Sequence, residues 1–276
     1  MPVVAVINRK GGSGKSTLAT QLAGHFAQCG LKVMLGDVDR QQSSLAWLRR
    51  RATHPLARTA EILPWALDTR NARRPPPGVS HVVLDTPGGM HGLELARVVM
   101  NADMILVPVS PSAFDRESAA ESLSELLRLP RVATGRCRLA VIGMRMDARS
   151  RDIALLNRWA TSRQVCCLGA LRDSRVYPRT AEDGLSLFDL PAEQVRTDLA
   201  QWQGLLDWVN NAPQGRQTSL AVGHAERTAM PAASVPKHSH PTRLCATGSP
   251  LAANGPAMLG LGQSLGRFFT ALRSAA

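Results

Sequence analysis

No run of apolar residues in this 276-residue chain approaches the roughly 18 needed to cross a bilayer, which excludes a helical membrane span. The N-terminus carries neither a basic leader nor a small-residue cleavage site; the chain is therefore expected to lack a secretory signal and to be cytoplasmic. The five cysteines, Cys29, Cys137, Cys166, Cys167 and Cys245, are odd in number and contain no C-x-x-C pair. That spacing argues against a disulfide framework and a zinc site, and favours small reduced core thiols. Lysine is scarce: of 33 basic residues only Lys10, Lys15, Lys32 and Lys237 are lysines. Acid is nearly missing after residue 211, where Glu226 stands alone.

What is present is arginine. The formal net charge is +12. Residues 1–211 hold 27 basic and 20 acidic side chains, and residues 212–276 hold six and one. A surface of this sign favours polyanionic partners through counterion release. The 44% hydrophobic fraction is ordinary for a globular chain, and the length allows one large domain with an appendage.

Short apolar runs at 3–8, 32–37, 81–85, 104–109 and 138–143 alternate with longer stretches of helical periodicity. This is a βαβ series. Continuous apolar strands belong in a parallel sheet covered on both faces, so the expected class is α/β, doubly wound, with ligands at the strands' carboxyl ends. Between Leu48 and Gly78 the pattern predicts a helix, an edge element near Glu61 to Leu63 and a surface loop through Arg73-Arg74-Pro75-Pro76-Pro77-Gly78. Apolar positions Val195, Leu199, Trp202, Leu205, Leu206 and Val209 share one helical face and predict a closing helix over 192–211. Residues 212–276 are dominated by Ala, Pro, Gly, Ser and Thr and cannot offset their ordering entropy, which predicts a low-complexity, disordered basic tail. The expected division is thus a domain over 1–211 and a tail over 212–276.

The most specific signal follows the first strand: Asn8-Arg9-Lys10-Gly11-Gly12-Ser13-Gly14-Lys15-Ser16-Thr17. A glycine-rich loop between a strand and a helix cradles phosphates with its backbone N–H groups. The helix N-terminus adds partial positive charge, Lys15 reaches the β and γ phosphates, and the Ser16 hydroxyl can ligate Mg²⁺. The loop's candidate nucleotide-binding residues are therefore Gly11, Gly12, Ser13, Gly14, Lys15, Ser16 and Thr17, with a nucleoside triphosphate and Mg²⁺ as the ligands implied; the family resemblance below adds Lys10 and makes the nucleotide ATP.

Arg9 stands where the ordinary phosphate-loop pattern has glycine, and Lys10 follows it. This Lys-Gly-Gly-x-Gly-Lys-[Ser/Thr] form resembles the deviant Walker A loop of the ParA/MinD superfamily, and the direct start at the first strand is closest to its short, ParF-like branch. The resemblance implies a P-loop ATPase in which Lys10 reaches across a nucleotide-sandwich homodimer to the partner subunit's phosphates. Gly36-Asp37-Val38-Asp39-Arg40-Gln41 resembles the superfamily's D-x-D-P-Q element, with Arg40 in place of proline. By that likeness Asp37 lies near Mg²⁺ and Lys15, and Asp39 positions the attacking water. Asp85-Thr86-Pro87-Gly88-Gly89 reads as a Walker B carboxylate followed by a switch. The catalytic set is then Lys10, Lys15 and Asp39, and the metal set Ser16, Asp37 and Asp85. Val107 to Asp115 and Gly169 to Leu190 resemble later ParA signatures, the second ending around the adenine pocket. The strand-end Asn-Arg pair that reads adenine in many members corresponds here to Met144-Arg145.

Three functions follow from these readings. In the first, the ATP dimer binds DNA nonspecifically over the nucleoid and drives plasmid or chromosome partition with a ParB-like partner; its candidate DNA contacts are Arg149, Arg151, Arg158, Arg163, Arg175 and Arg179. In the second, the same engine positions a protein cargo or acts at a membrane. For the membrane, the tail offers Leu261, Leu265, Phe268, Phe269 and Leu272 at helical spacing, with Arg267 and Arg273 nearby and three weakening glycines. The third is a redox relative of the nitrogenase iron protein, which needs cysteines at a dimer axis that Cys137, Cys166 and Cys167 do not obviously supply.

Overall fold

The computed structural model describes residues 1–57, 61–66, 78–147 and 150–211. The expected tail, its candidate membrane helix and Arg149 lie outside the described residues. Among the described residues, no helix is long and apolar enough to cross a membrane.

Seven strands form one wholly parallel sheet in the order β3-β2-β4-β1-β5-β6-β7. They are β1 (Val3–Val6), β2 (Val33–Asp37), β3 (Ile62–Ala66), β4 (His81–Asp85), β5 (Met104–Val109), β6 (Arg138–Met144) and β7 (Cys166–Leu171). Side chains alternate across each strand. Val4 and Val6 therefore enter one core layer, while Val3, Ala5 and Ile7 enter the other. The first layer is closed by α1 (Lys15–Gln28), α2 (Ser43–Thr53), α7 (Val176–Glu182) and α8 (Ala192–Asn210). The second is closed by α3 (Gly92–Asn101), α4 (Ala113–Arg128), α5 (Pro130–Ala133) and α6 (Arg151–Thr161). This is the doubly wound α/β architecture that the apolar runs predict.

The edges carry what the pattern shows least well. The element near Glu61 is β3, and Pro64 sits inside it; a missing N–H is tolerated because an edge strand has one unpaired side. Strand β7, at the opposite edge, has no counterpart among the apolar runs. Its register against β6 shifts between Val141 and Gly143, and Gly169 takes φ +97° there.

Helix α2 is fastened along its length to the last turn of α7 and the segment after it. Trp47 Nε1 donates to the Leu185 carbonyl at 3.1 Å, and Arg50 Nε to the Ala181 carbonyl at 3.1 Å. Arg51 forms a two-pronged pair with Asp189 at 2.8 and 2.9 Å, with both side chains buried. The Arg51 guanidinium and the Ser186 hydroxyl hold the Asp189 carboxyl below its ordinary range against the opposing effect of burial. Glycine is required where α1 meets this segment, because a Cβ at Gly24 would collide with the Ser186 side chain.

Candidate functional site

The sheet order reverses at β1, whose neighbours are β4 and β5. In open α/β sheets, ligands sit outside the carboxyl ends of the strands at such a switch point. Register brings the acidic strand ends together: Asp37 is the Cα partner of Asp85 across β2 and β4, and Asp85 is the partner of Val6 across β4 and β1. Two residues past Val6, Asn8 begins the phosphate loop.

That loop is braced from three sides. Asn8 is buried, donating through Nδ2 to the Pro108 carbonyl at 2.7 Å and accepting from the Lys10 N–H at 3.0 Å. The Arg9 carbonyl accepts from Gly89 N–H at 2.6 Å, which joins the loop to the glycine-rich turn after β4. Arg145, at φ +56°, donates to the Gly12 carbonyl at 3.0 Å and to Ser110 Oγ at 2.8 Å. Gly14 stands at φ +97° with the buried Met144 packed so close that a Cβ would lie 2.8 Å from its methyl group. Glycine alone fits there. Of the expected base-reading pair, Arg145 thus holds the loop and Met144 lies beneath its last glycine.

Helix α1 starts at Lys15, which is 7% exposed and donates from Nζ to the Lys10 carbonyl at 3.0 Å. Burial lowers its pKa, while the Asp85 and Asp39 carboxylates raise it. The acidic side divides its labour. Asp37 spends its oxygens on backbone: Oδ1 accepts from Asp39 N–H at 3.0 Å, and Oδ2 from Ser44 and Leu45 N–H at 2.9 and 3.1 Å. It therefore satisfies the N-terminal turn of α2, whose cap residue Gln42 is left-handed at φ +52°. Burial raises its pKa, those N–H bonds lower it, and the Asp39 carboxylate raises it again. Asp39 is half-buried and accepts from Gln41 N–H at 3.0 Å.

Asp85 differs. It is 1% exposed; Oδ2 accepts from Ser44 Oγ at 2.7 Å, while Oδ1 is buried without a partner. Burial pushes its pKa up to about 6, against the Ser44 and Ser16 hydroxyls and Lys15, with Asp37 adding to the rise. Ser13 Oγ, in the phosphate loop, is likewise buried and unpartnered. Buried polar atoms are ordinarily satisfied; of the five buried side-chain atoms without a partner among the described residues, these two sit together on the phosphate loop and its facing carboxylate, where a bound ligand would satisfy them. Among the described residues no three His, Cys, Asp or Glu side chains gather as a metal cage. Mg²⁺ is commonly held by one or two carboxylates together with phosphate oxygens, a donor set that Ser16 and Asp85 fit.

At the rim, Lys10 pairs with Asp115 of its own chain. Asp115 lies in the first turn of α4, bonded to the capping Ser112 through its N–H at 3.1 Å and its carboxyl at 2.6 Å. The Lys10 ammonium and Ser112 hydroxyl lower its pKa against burial. Ser44, Arg145's double contact and the Asn8 clamp carry no mark in the sequence. The candidate DNA arginines are dispersed: Arg151 and Arg158 are exposed on α6, Arg175 and Arg179 at α7, and Arg163 stacks on Trp159 at 4.6 Å. Arg175 and Arg179 also line a groove of about 630 Å³ beside α7.

A family model described as CobQ/CobB/MinD/ParA nucleotide binding domain matches residues 4–251. The chain belongs to this nucleotide-binding family, the ParA/MinD ATPases among them. "Maintenance of carboxysome distribution protein A" of Gloeobacter kilaueensis is 32% identical over 205 residues, covering 73% of this chain and 90% of the relative. "Protein ParA" of Rhizobium radiobacter is 28% identical over 123 residues, 45% of this chain and 55% of that protein. The fold is shared with an ATP complex of Cyanothece McdA, at TM-score 0.57 and 17% identity, over 74% of this chain and 96% of that one.

Proposed function

We propose that this protein is an ATP-dependent, dimerising ATPase that binds DNA nonspecifically and uses an adaptor to drive cargo along it. The observation that carries the proposal is the convergence of Lys15, Asp85 and the phosphate loop at the sheet's switch point, with a second lysine, Lys10, at the rim. Lys15 and the loop N–H groups would bind the phosphates, Ser16 and Asp85 the Mg²⁺, and Asp39 the attacking water; Asp37 would fix the α2 turn beside them. Bound Mg²⁺ supplies charge neutralisation of the transferred phosphoryl group. Lys10 would add a cation from the facing subunit, which couples ATP occupancy to dimer formation. Slow turnover suits a switch that dwells in its ATP state until a partner arrives.

The cargo has two readings. Plasmid or chromosome partition with a ParB-like adaptor is supported by the basic chain and the ParA relative. Positioning of a protein assembly is favoured by the relative named for carboxysome distribution. Both share DNA as the track, and DNA affinity tests it. With ATP and Mg²⁺, affinity is expected to fall on the order of 10³-fold between about 50 and 200 mM salt if several phosphates are contacted. A flat salt response, or DNA binding indifferent to ATP, contradicts the proposal.

A further inference from the structure

Ser44 touches both strand-end carboxylates. Its hydroxyl donates to Asp85 Oδ2 at 2.7 Å, and its backbone N–H donates to Asp37 Oδ2 at 2.9 Å. The residue is fully buried, so neither bond competes with bulk water. The consequence is directional. With Oδ2 engaged, Oδ1 is the oxygen left buried and unpartnered.

We propose that Ser44 is a positioning residue for the metal-binding carboxylate: its hydroxyl holds Asp85 Oδ2 and so fixes the orientation of the carboxylate, which the Ser16 hydroxyl also approaches beside the phosphate loop. The inference rests on the ATP and Mg²⁺ reading above and assigns to that site a residue outside the phosphate loop and the acidic strand ends. A carboxylate held by a donor at one oxygen loses little freedom when the other binds metal, and removing such an outer partner typically costs about 10- to 100-fold in metal affinity or activity. The hydroxyl's own place is set by Asp37, whose Oδ2 gathers the Ser44 and Leu45 N–H groups at the start of α2. Asp37 thus acts on the metal site through the helix turn and through Ser44. The same turn begins the helix clamped to Ala181, Leu185 and Asp189, so the hydroxyl is seated in a rigid element.

The test is Mn²⁺ binding to the full chain saturated with AMPPNP, read by electron paramagnetic resonance, alongside AMPPNP affinity in EDTA. Ser44→Ala is expected to weaken Mn²⁺ about 10-fold or more while metal-free nucleotide affinity stays at the wild-type value, and Ser44→Thr, which keeps the hydroxyl, to retain Mn²⁺ affinity. Unchanged Mn²⁺ affinity in Ser44→Ala overturns the inference. So does equal loss in both variants, or a parallel loss of metal-free nucleotide binding, since either makes Ser44 a packing residue. Wild-type protein that binds no Mn²⁺ with AMPPNP refutes the ATP and Mg²⁺ reading itself, an outcome the wild-type control separates from the others.

Discussion

Lys10 and Asp115 form an ion pair inside a single chain, joining the phosphate loop to the first turn of α4. The Lys10 side chain is 39% exposed and that of Asp115 15%, and ion pairs open to solvent on one side contribute little, about 0–1 kcal/mol where both partners are exposed. An ammonium held in this way can be given up to a stronger anion, which under the proposed function is the triphosphate on a facing subunit.

Lys15 has no such exchangeable partner; its ammonium lies against the Lys10 carbonyl in a buried setting. Charge-assisted hydrogen bonds contribute about 1.5–3 kcal/mol each, so Lys15→Ala is expected to weaken ATP binding by at least about 10-fold. Isothermal titration with ATP and Mg²⁺ measures it. Affinity equal to wild type would remove Lys15 from the phosphate site.

Asp39 leaves one carboxyl oxygen outside its Gln41 contact and raises the Lys15 pKa from nearby. If it positions water, Asp39→Ala retains ATP binding and accumulates the ATP dimer, with hydrolysis down about 10²-fold or more. A phosphate-release assay and sedimentation on the same sample read both effects. Wild-type turnover would assign the water to another group.

Asp85 links the site to stability. Its folded pKa of about 6 lies above the ordinary 3.8. The folded state binds the proton more tightly than the unfolded chain, so stability contributed by Asp85 is greatest at low pH and declines as pH rises from about 4 to 6. At a pH of about 7.5 the buried charge costs on the order of 3 kcal/mol. Metal-free Asp85→Asn is expected to unfold at higher denaturant than wild type at that pH, and the gain to shrink as pH falls through about 6 and vanish near about 4. A constant difference across that range would mean the carboxyl does not titrate there.

How much of this is written in the sequence depends on contiguity. The phosphate loop is a single stretch, and its glycines and lysines announce their chemistry in order. Strands β1, β2, β4, β5 and β6 are legible because both faces are buried and the runs are continuously apolar. Strand β7 is not: Cys166-Cys167-Leu168-Gly169 lacks β-branched residues and carries a left-handed glycine. Ser44 is invisible for another reason. Its bond to Asp85 exists only because the β2–β4 register sets Asp37 opposite Asp85 and because the α2 turn folds back onto Asp37, a relation across 41 positions. Arg145 reaching Gly12 from the end of β6, 133 positions away, is hidden in the same way.

The central claim, that Lys10 turns nucleotide occupancy into dimer formation, is tested most directly by sedimentation of Lys10→Ala with AMPPNP and Mg²⁺. The pair with Asp115 is weak, so the variant is expected to fold with less than about 1 kcal/mol change in stability and to bind nucleotide. It is predicted to remain a monomer where wild type sediments as a dimer. A Lys10→Ala dimer that forms with AMPPNP as wild type does would contradict the account.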